Sequence, residues 1–304
     1  MQELFVDRLI ESIESKRAPI CVGIDPILES FPEALRPVDP RNVDSCVDAL
    51  YAFCSGVLHA VADITPVVKF QIAYFERFLW QGVQAYYELV HEAKALGLLV
   101  IGDVKRGDIG STSSAYAAAH LADLDFDELD DAASPDAITI NPYLGMDAIE
   151  PFLQVCRDEG KGVFVLVRTS NPGSKDVQDV LTQDGRTLSE LVADTLNPLA
   201  TSRQLMGKNG YGNMGAVVGA TQAHTMQSLR KRLPASIFLL PGYGTQGATA
   251  EMTRAAFDEK GRGAIVSASR SVLYPKSEAG ETWQDAVKRA AETMAGDIRG
   301  MLKN

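Results

Sequence analysis

With 304 residues, 46% of them hydrophobic and 23% charged, the chain has a globular composition, which excludes fibrous, disordered and disulfide-scaffold classes. Its 29 Lys+Arg against 40 Asp+Glu leave a formal charge of -11, and no basic run of the nucleic-acid-binding type occurs, so nucleic acid is not an expected partner. A small anionic substrate is still compatible, because local cations and backbone N–H groups decide a site whatever the net charge.

At the start of the chain Leu4, Phe5, Leu9, Ile10 and Ile13 recur at helical spacing among charges, which predicts an amphipathic helix rather than a signal peptide. No apolar run has membrane-spanning length, so no membrane partner and a cytoplasmic location are expected. Short apolar runs then predict eight strands, near residues 19–24, 66–70, 98–104, 137–141, 163–167, 216–219, 236–240 and 263–267. Helical patterns separate them, at 43–61, 72–96, 146–159, 188–205, 223–232 and 247–259, with a last one at 283–301. The strand runs are nearly continuous in apolar residues, as parallel strands covered on both faces require. A doubly wound sheet would bring a glycine-rich nucleotide fingerprint after the first strand, and Gly23-Ile24-Asp25-Pro26 is not one. The expected fold class is therefore α/β, a (βα)8 TIM barrel forming a single domain over residues 1–304. Two long connections interrupt the rhythm, an acidic stretch at 123–136 and a loop at 171–186.

Cys21, Cys46, Cys54 and Cys156 have no metal-ligand spacing and are read as reduced, mostly buried thiols. The four histidines, His59, His91, His120 and His224, all fall in helical patterns and are read as surface or helix-packing residues, so no metal site is expected.

The strand ends carry the chemistry. In such barrels polar residues at the C-terminal ends of strands tend to be functional. Here Asp25, Lys69, Asp103 with Lys105, Asn141, Ser170, Thr221, Gln246 and Arg270 all stand at or just after an apolar run. Asp103 and Lys105 are two residues apart, so on an extended strand both point to one face. An isolated Asp-x-Lys pair would more often be a structural ion pair. Lys69 on the adjacent strand and Asp108 just beyond reverse those odds, and Gly102 and Gly107 suggest a close backbone approach. A second cluster, Gly242-Tyr243-Gly244-Thr245-Gln246 after the seventh strand and Ser269-Arg270-Ser271 after the eighth, lies where these barrels bind phosphate.

Taken together these segments resemble the orotidine 5′-phosphate decarboxylase family, and within it the longer bacterial subgroup. Asp103-Val104-Lys105-Arg106-Gly107-Asp108-Ile109 looks like its Asp-x-Lys-x-x-Asp-Ile signature, and Lys69 and Asp25 look like its second- and first-strand residues. Thr169–Ser174, Pro241–Gly247 and Ser269–Ser271 look like its base, phosphate-loop and phosphate-arginine segments. The resemblance implies cofactor-free decarboxylation of orotidine 5′-phosphate to UMP in de novo pyrimidine biosynthesis, by an enzyme of the carboxy-lyase class. It makes Lys105 the proton donor to a C6 carbanion, with Asp103 beside the leaving carboxylate. Lys69 would order Asp103 and touch the ribose, Asp25 would bind a ribose hydroxyl, and Ser170 would read the pyrimidine. Gln246, Arg270, Gly242, Gly244 and Ser269 would hold the phosphate. Asp108 and Thr112 would reach the neighbouring subunit's ribose, which implies a homodimer with shared sites. Two other readings stay open on the residues alone: a metal-dependent pentulose-phosphate aldolase or synthase sharing Asp-x-Lys-x-x-Asp, and a silent binding protein for a phosphorylated ligand.

Overall fold

The structure, a computed structural model, describes residues 3–124, 126, 129, 131–220, 223–244 and 247–303, the side chains of Ala223 and His224 excepted. The eight apolar runs form β1 (Ile20–Ile24), β2 (Val67–Gln71), β3 (Leu99–Arg106), β4 (Ala137–Ile140), β5 (Gly162–Arg168), β6 (Gly212–Val218), β7 (Ser236–Pro241) and β8 (Ala264–Ala268). They pair in chain order, all parallel, and β8 closes on β1. The predicted (βα)8 barrel is the observed one.

The helices are α1 (Phe5–Lys16), α2 (Val43–Val61), α3 (Ala73–Glu76), α4 (Leu79–Ala95), α5 (Gly110–His120), α6 (Glu150–Glu159), α7 (Lys175–Gln178), α8 (Leu188–Ala200), α9 (Ala223–Arg232), α10 (Ala250–Thr253), α11 (Arg270–Leu273) and α12 (Trp283–Lys303). The pattern expected as one helix at 72–96 is broken into α3 and α4, because Leu79 takes a left-handed φ of 55° and the Phe75 carbonyl packs where a Gly82 side chain would stand. The pattern at 247–259 likewise divides into α10 and a 3-10 turn at Arg254–Ala256.

Strand alternation sorts the side chains into two layers. Val68, Phe70 and Val100 face outward into the layer shared with the helices, while Val67, Ile101, Phe164 and Ile237 face the barrel interior. Phe5, Val6, Leu9 and Ile10 of α1 pack on that interior group and close the end of the barrel where the strands begin. β6 starts at Gly212, four residues before the predicted run, and so takes in Gly212 and Gly215, residues that do not favour a strand interior. Gly215 is instead a packing requirement: the Phe164 ring lies 2.5 Å from where its Cβ would be. The interior is thus mainly apolar at the strand starts, where Asn213 of β6 is a buried exception that accepts from the Val6 amide at 3.0 Å, and it turns strongly polar at the C-terminal ends.

Candidate active site

Period two carries Lys69 and Gln71 of β2, Asp103 of β3 and Thr139 of β4 to the interior face at the barrel's C-terminal end. Cα pairing sets Gln71 opposite Asp103. Four donors converge on the Asp103 carboxylate. Lys105 Nζ at 2.5 Å and Thr139 Oγ1 at 2.8 Å donate to Oδ1, and Lys69 Nζ at 2.5 Å and Gln71 Nε2 at 3.0 Å donate to Oδ2. Asp103 and Lys69 are buried, whereas Lys105 is 45% exposed and stands at the mouth.

Burial by itself would raise the Asp103 carboxyl, but the ammonium groups of Lys69 and Lys105 outweigh it and hold the group well below the usual carboxylate range. Burial would also discharge Lys69, and the Asp103 and Asp25 carboxylates outweigh that too, keeping it above the ordinary lysine value. The array is therefore an anion clamped between two cations in a site partly withdrawn from water.

Beside it lies a cavity of about 340 Å³. Lys69, Asp103, Lys105 and Thr139 line one side, Leu166, Val217 and Leu239 form an apolar wall, and Thr169, Ser170 and Asn171 contribute polar groups from the end of β5. That last segment is fastened by Arg168, which is fully buried and donates to both oxygens of Asp179, to the Thr169 carbonyl and to Ser174. Gln178 accepts from the Thr169 amide at 2.8 Å, so the long loop at 171–186 is folded back rather than open.

Asp25 follows β1, and its Oδ1 is buried with no hydrogen-bond partner among the described residues, a carboxylate oxygen open to a ligand. Its backbone is held by Tyr274, whose hydroxyl donates to the Asp25 carbonyl at 3.1 Å and accepts from the Ile27 amide at 2.7 Å. On the phosphate side, Gly242 and Gly244 have φ of 106° and 74°, conformations that favour glycine. Ser269 Oγ lies 2.1 Å from where a Gly23 side chain would stand, which brings the ends of β1 and β8 together. Arg270 is exposed and has no ion-pair partner among the described residues. Gln246 and Thr221, both singled out from sequence, lie outside the described residues.

Other expectations are corrected. Lys105 is not placed by simple strand alternation: its φ is 47°, and β3 advances four residues from Gly102 to Arg106 while β4 advances two, from Ile138 to Ile140. The close backbone approach expected at Gly102 and Gly107 is present, and the neighbours are protein groups: side chains there would meet Tyr86 Oη at 2.6 Å and the Asn141 carbonyl at 2.8 Å. Asn141 stabilises its own turn by accepting from the Tyr143 amide, and Thr139, two residues earlier, is the β4 member of the array. Thr139 and Gln71 are not among the strand-end candidates, yet each stands two residues from one, Asn141 and Lys69, so the strand period is the signal that points to them. Asp108 accepts from its neighbour Ile109, Thr112 is exposed on α5, and among the described hydrogen bonds neither joins the Asp103 array of its own chain. The cysteines are free and buried as expected. His59 pairs with Glu92 at the surface, and His120 accepts from Arg106.

A family model described as orotidine 5′-phosphate decarboxylase / HUMPS matches residues 19–284. An orotidine 5′-phosphate decarboxylase of Rhodopirellula baltica is 42% identical over 97% of this chain and 99% of its own length. A solved Streptomyces avermitilis structure superposes with a TM-score of 0.81 at 34% identity, covering 100% of this chain and 98% of that one. The OMP decarboxylase of Leishmania donovani superposes with a TM-score of 0.74 at 29% identity, covering 99% and 100%. By the model match and by identity across nearly its whole length, the chain belongs to the orotidine 5′-phosphate decarboxylase / HUMPS family.

Proposed function

We propose that this protein is an orotidine 5′-phosphate decarboxylase, converting orotidine 5′-phosphate to UMP in pyrimidine biosynthesis without metal or organic cofactor. The observation that carries the reading is the Asp103 carboxylate, held as an anion between the Lys69 and Lys105 ammonium groups at the edge of the cavity. A C6 carboxylate bound beside Asp103 would meet a like charge, a repulsion of about 4 kcal/mol at ~4 Å for an effective dielectric near ~20. When the C6–carboxylate bond breaks, its electron pair stays on C6 and neutral CO2 leaves. The like-charge contact is then gone, and the carbanion faces the Lys105 ammonium in a site organised beforehand around negative charge. Lys105 transfers a proton to C6 and is reprotonated from solvent.

The remaining roles follow from position. Lys69 orders Asp103, the unpartnered Oδ1 of Asp25 takes a ribose hydroxyl, and Ser170 reads the pyrimidine. The turns at Gly242 and Gly244, with Ser269, Gln246 and Arg270, hold the phosphate, whose binding raises the rate as well as the affinity by orienting the reacting end. Asp108 and Thr112 serve the neighbouring site of a homodimer, consistent with their lying apart from the array in a single chain. We place the enzyme in the cytoplasm.

The family description also covers HUMPS. A metal-dependent aldolase would need a carboxylate free to bind the ion, and both oxygens of Asp103 already take two donors each. The decisive experiment follows the absorbance of orotidine 5′-phosphate in the presence of EDTA. Loss of the substrate signal with appearance of UMP supports the proposal. Folded protein that binds UMP and turns nothing over would overturn it, and turnover of a pentulose phosphate that EDTA abolishes would favour the aldolase reading.

A further inference from the structure

Lys105 is the strained residue of the array. A left-handed φ of 47° is unfavourable for lysine, whose side chain cannot bond its own backbone there as Asn or Asp can, and such strain persists only where the surroundings enforce it. Asp103 needs no such help: it sits in regular register opposite Gln71 of β2. The meeting of Lys105 with Asp103 therefore depends on whatever holds the two extra residues of β3 between Gly102 and Arg106.

That region is closed from both sides. On the interior side, Thr139 Oγ1 accepts from the Lys105 amide at 3.0 Å. On the outer side stands Arg106, which does not line the cavity. Its Nη1 donates at 3.1 Å to the carbonyl of Val104, the residue before Lys105, and its own carbonyl accepts at 2.9 Å from the Asn141 amide of the next strand's end. The guanidinium thus bridges the backbone across Lys105. Its Nη2 pairs with Glu76 of α3, its Nε donates to His120 Nε2 of α5 at 3.2 Å, and its Cζ lies 5.7 Å from the Tyr116 ring centroid. Three donors of one planar fork are committed to three elements, a geometry lysine cannot reproduce. His120 is fitted to accept: burial, and then the adjacent Arg106, lower it to about 4, so it stays neutral and stacks on Tyr116.

We propose that Arg106 is a positioning residue: its guanidinium clamps the β3 bulge that sets the Lys105 ammonium against Asp103, and through Glu76 and His120 ties that bulge to α3 and α5. α3 directly follows the strand of Lys69 and Gln71, and α5 follows the β3 end that carries Asp103 and Lys105, so one side chain joins β3 to the helices on either side of it. The proposal rests on the decarboxylase reading for its kinetic consequence and on geometry alone for its structural one.

The test separates the two. Crystal structures of the wild type and of R106A report the φ of Lys105 and its Nζ distance to Asp103, whatever reaction the protein performs. In R106A, Lys105 is expected to leave the left-handed region and its Nζ to leave Asp103. In turnover, R106A is expected to lose about 10- to 100-fold in kcat with KM within about threefold, as a roughly 1 Å misplacement of a reacting group does. Added guanidinium restores part of the loss, which a general weakening of the fold would not allow. R106K keeps the charge and secures a folded variant should R106A fail to fold, and it too is expected to be slow and to show a displaced Lys105. An unmoved Lys105 in the variants, or wild-type kcat in an active enzyme, overturns the proposal. A displaced Lys105 in a protein whose wild type turns over no orotidine 5′-phosphate would uphold the positioning role and sink the decarboxylase reading instead.

Discussion

At the scale of single residues the site is an exercise in keeping charge inside a barrel. Lys69 and Asp103 are each nearly inaccessible to water, and each is tolerable only because the other is there. D103N preserves shape but leaves the Lys69 ammonium facing only the more distant Asp25, and we expect a loss of about 3–5 kcal/mol in a urea titration. The pH dependence has a definite sign. Asp103 is held below its ordinary value, so its contribution is complete above about pH 3.9 and fades as pH falls toward the folded-state value. Lys69 is held above its ordinary value, so its contribution is complete below about pH 10.4 and fades as pH rises through the folded-state value. The stability gap between wild type and D103N should therefore be flat across the neutral range and close at both extremes. K105A removes the proposed acid from a half-exposed position, so the fold should survive. Its kcat should fall by about 1,000-fold or more while UMP binding by calorimetry remains. Wild-type kinetics in K105A would refute its role.

At the scale of elements, several strand ends are braced by residues outside the Asp103 array. Arg168 braces the loop after β5, Tyr274 of the segment after β8 braces the loop after β1, and Ser269 packs into the space left by Gly23. The β5 loop offers the clearest test, because Ser170 and Asn171 line the cavity while Arg168 lies behind them. R168M keeps the buried volume but loses the contacts to Asp179, Ser174 and Thr169. We expect KM to rise about tenfold with a smaller change in kcat, together with faster amide hydrogen exchange across residues 169–179. Unchanged exchange would show that the loop is held by other contacts. The predicted strands were legible because period two and apolar runs are local properties. The breaks at Leu79 and after Thr253 were not, because helical periodicity runs through both and the packing of distant side chains decides them.

At the scale of the whole molecule, the described hydrogen bonds of one chain leave Asp108 and Thr112 apart from Asp103, which makes the homodimer a testable requirement of the proposed site. K105A and D108N, each inactive alone, should complement after the subunits are mixed and allowed to exchange. About a quarter of wild-type activity is the ceiling, since half of the random dimers are mixed and each mixed dimer has one intact site. No recovery after proven exchange would place Asp108 in its own chain's site. The order of eight strands and helices, the barrel they close, and the strand ends where charge collects are all legible in the amino-acid sequence, because each follows from composition and periodicity within a few neighbouring residues. How those charges are held is a property of the folded barrel. Thr139 and Gln71 complete the Asp103 array through the registers of two other strands, and the left-handed turn at Lys105 exists because β3 carries two more residues than β4 beside it. Such register is a relation between distant segments, set by packing around the whole barrel, and no local pattern of residues encodes it.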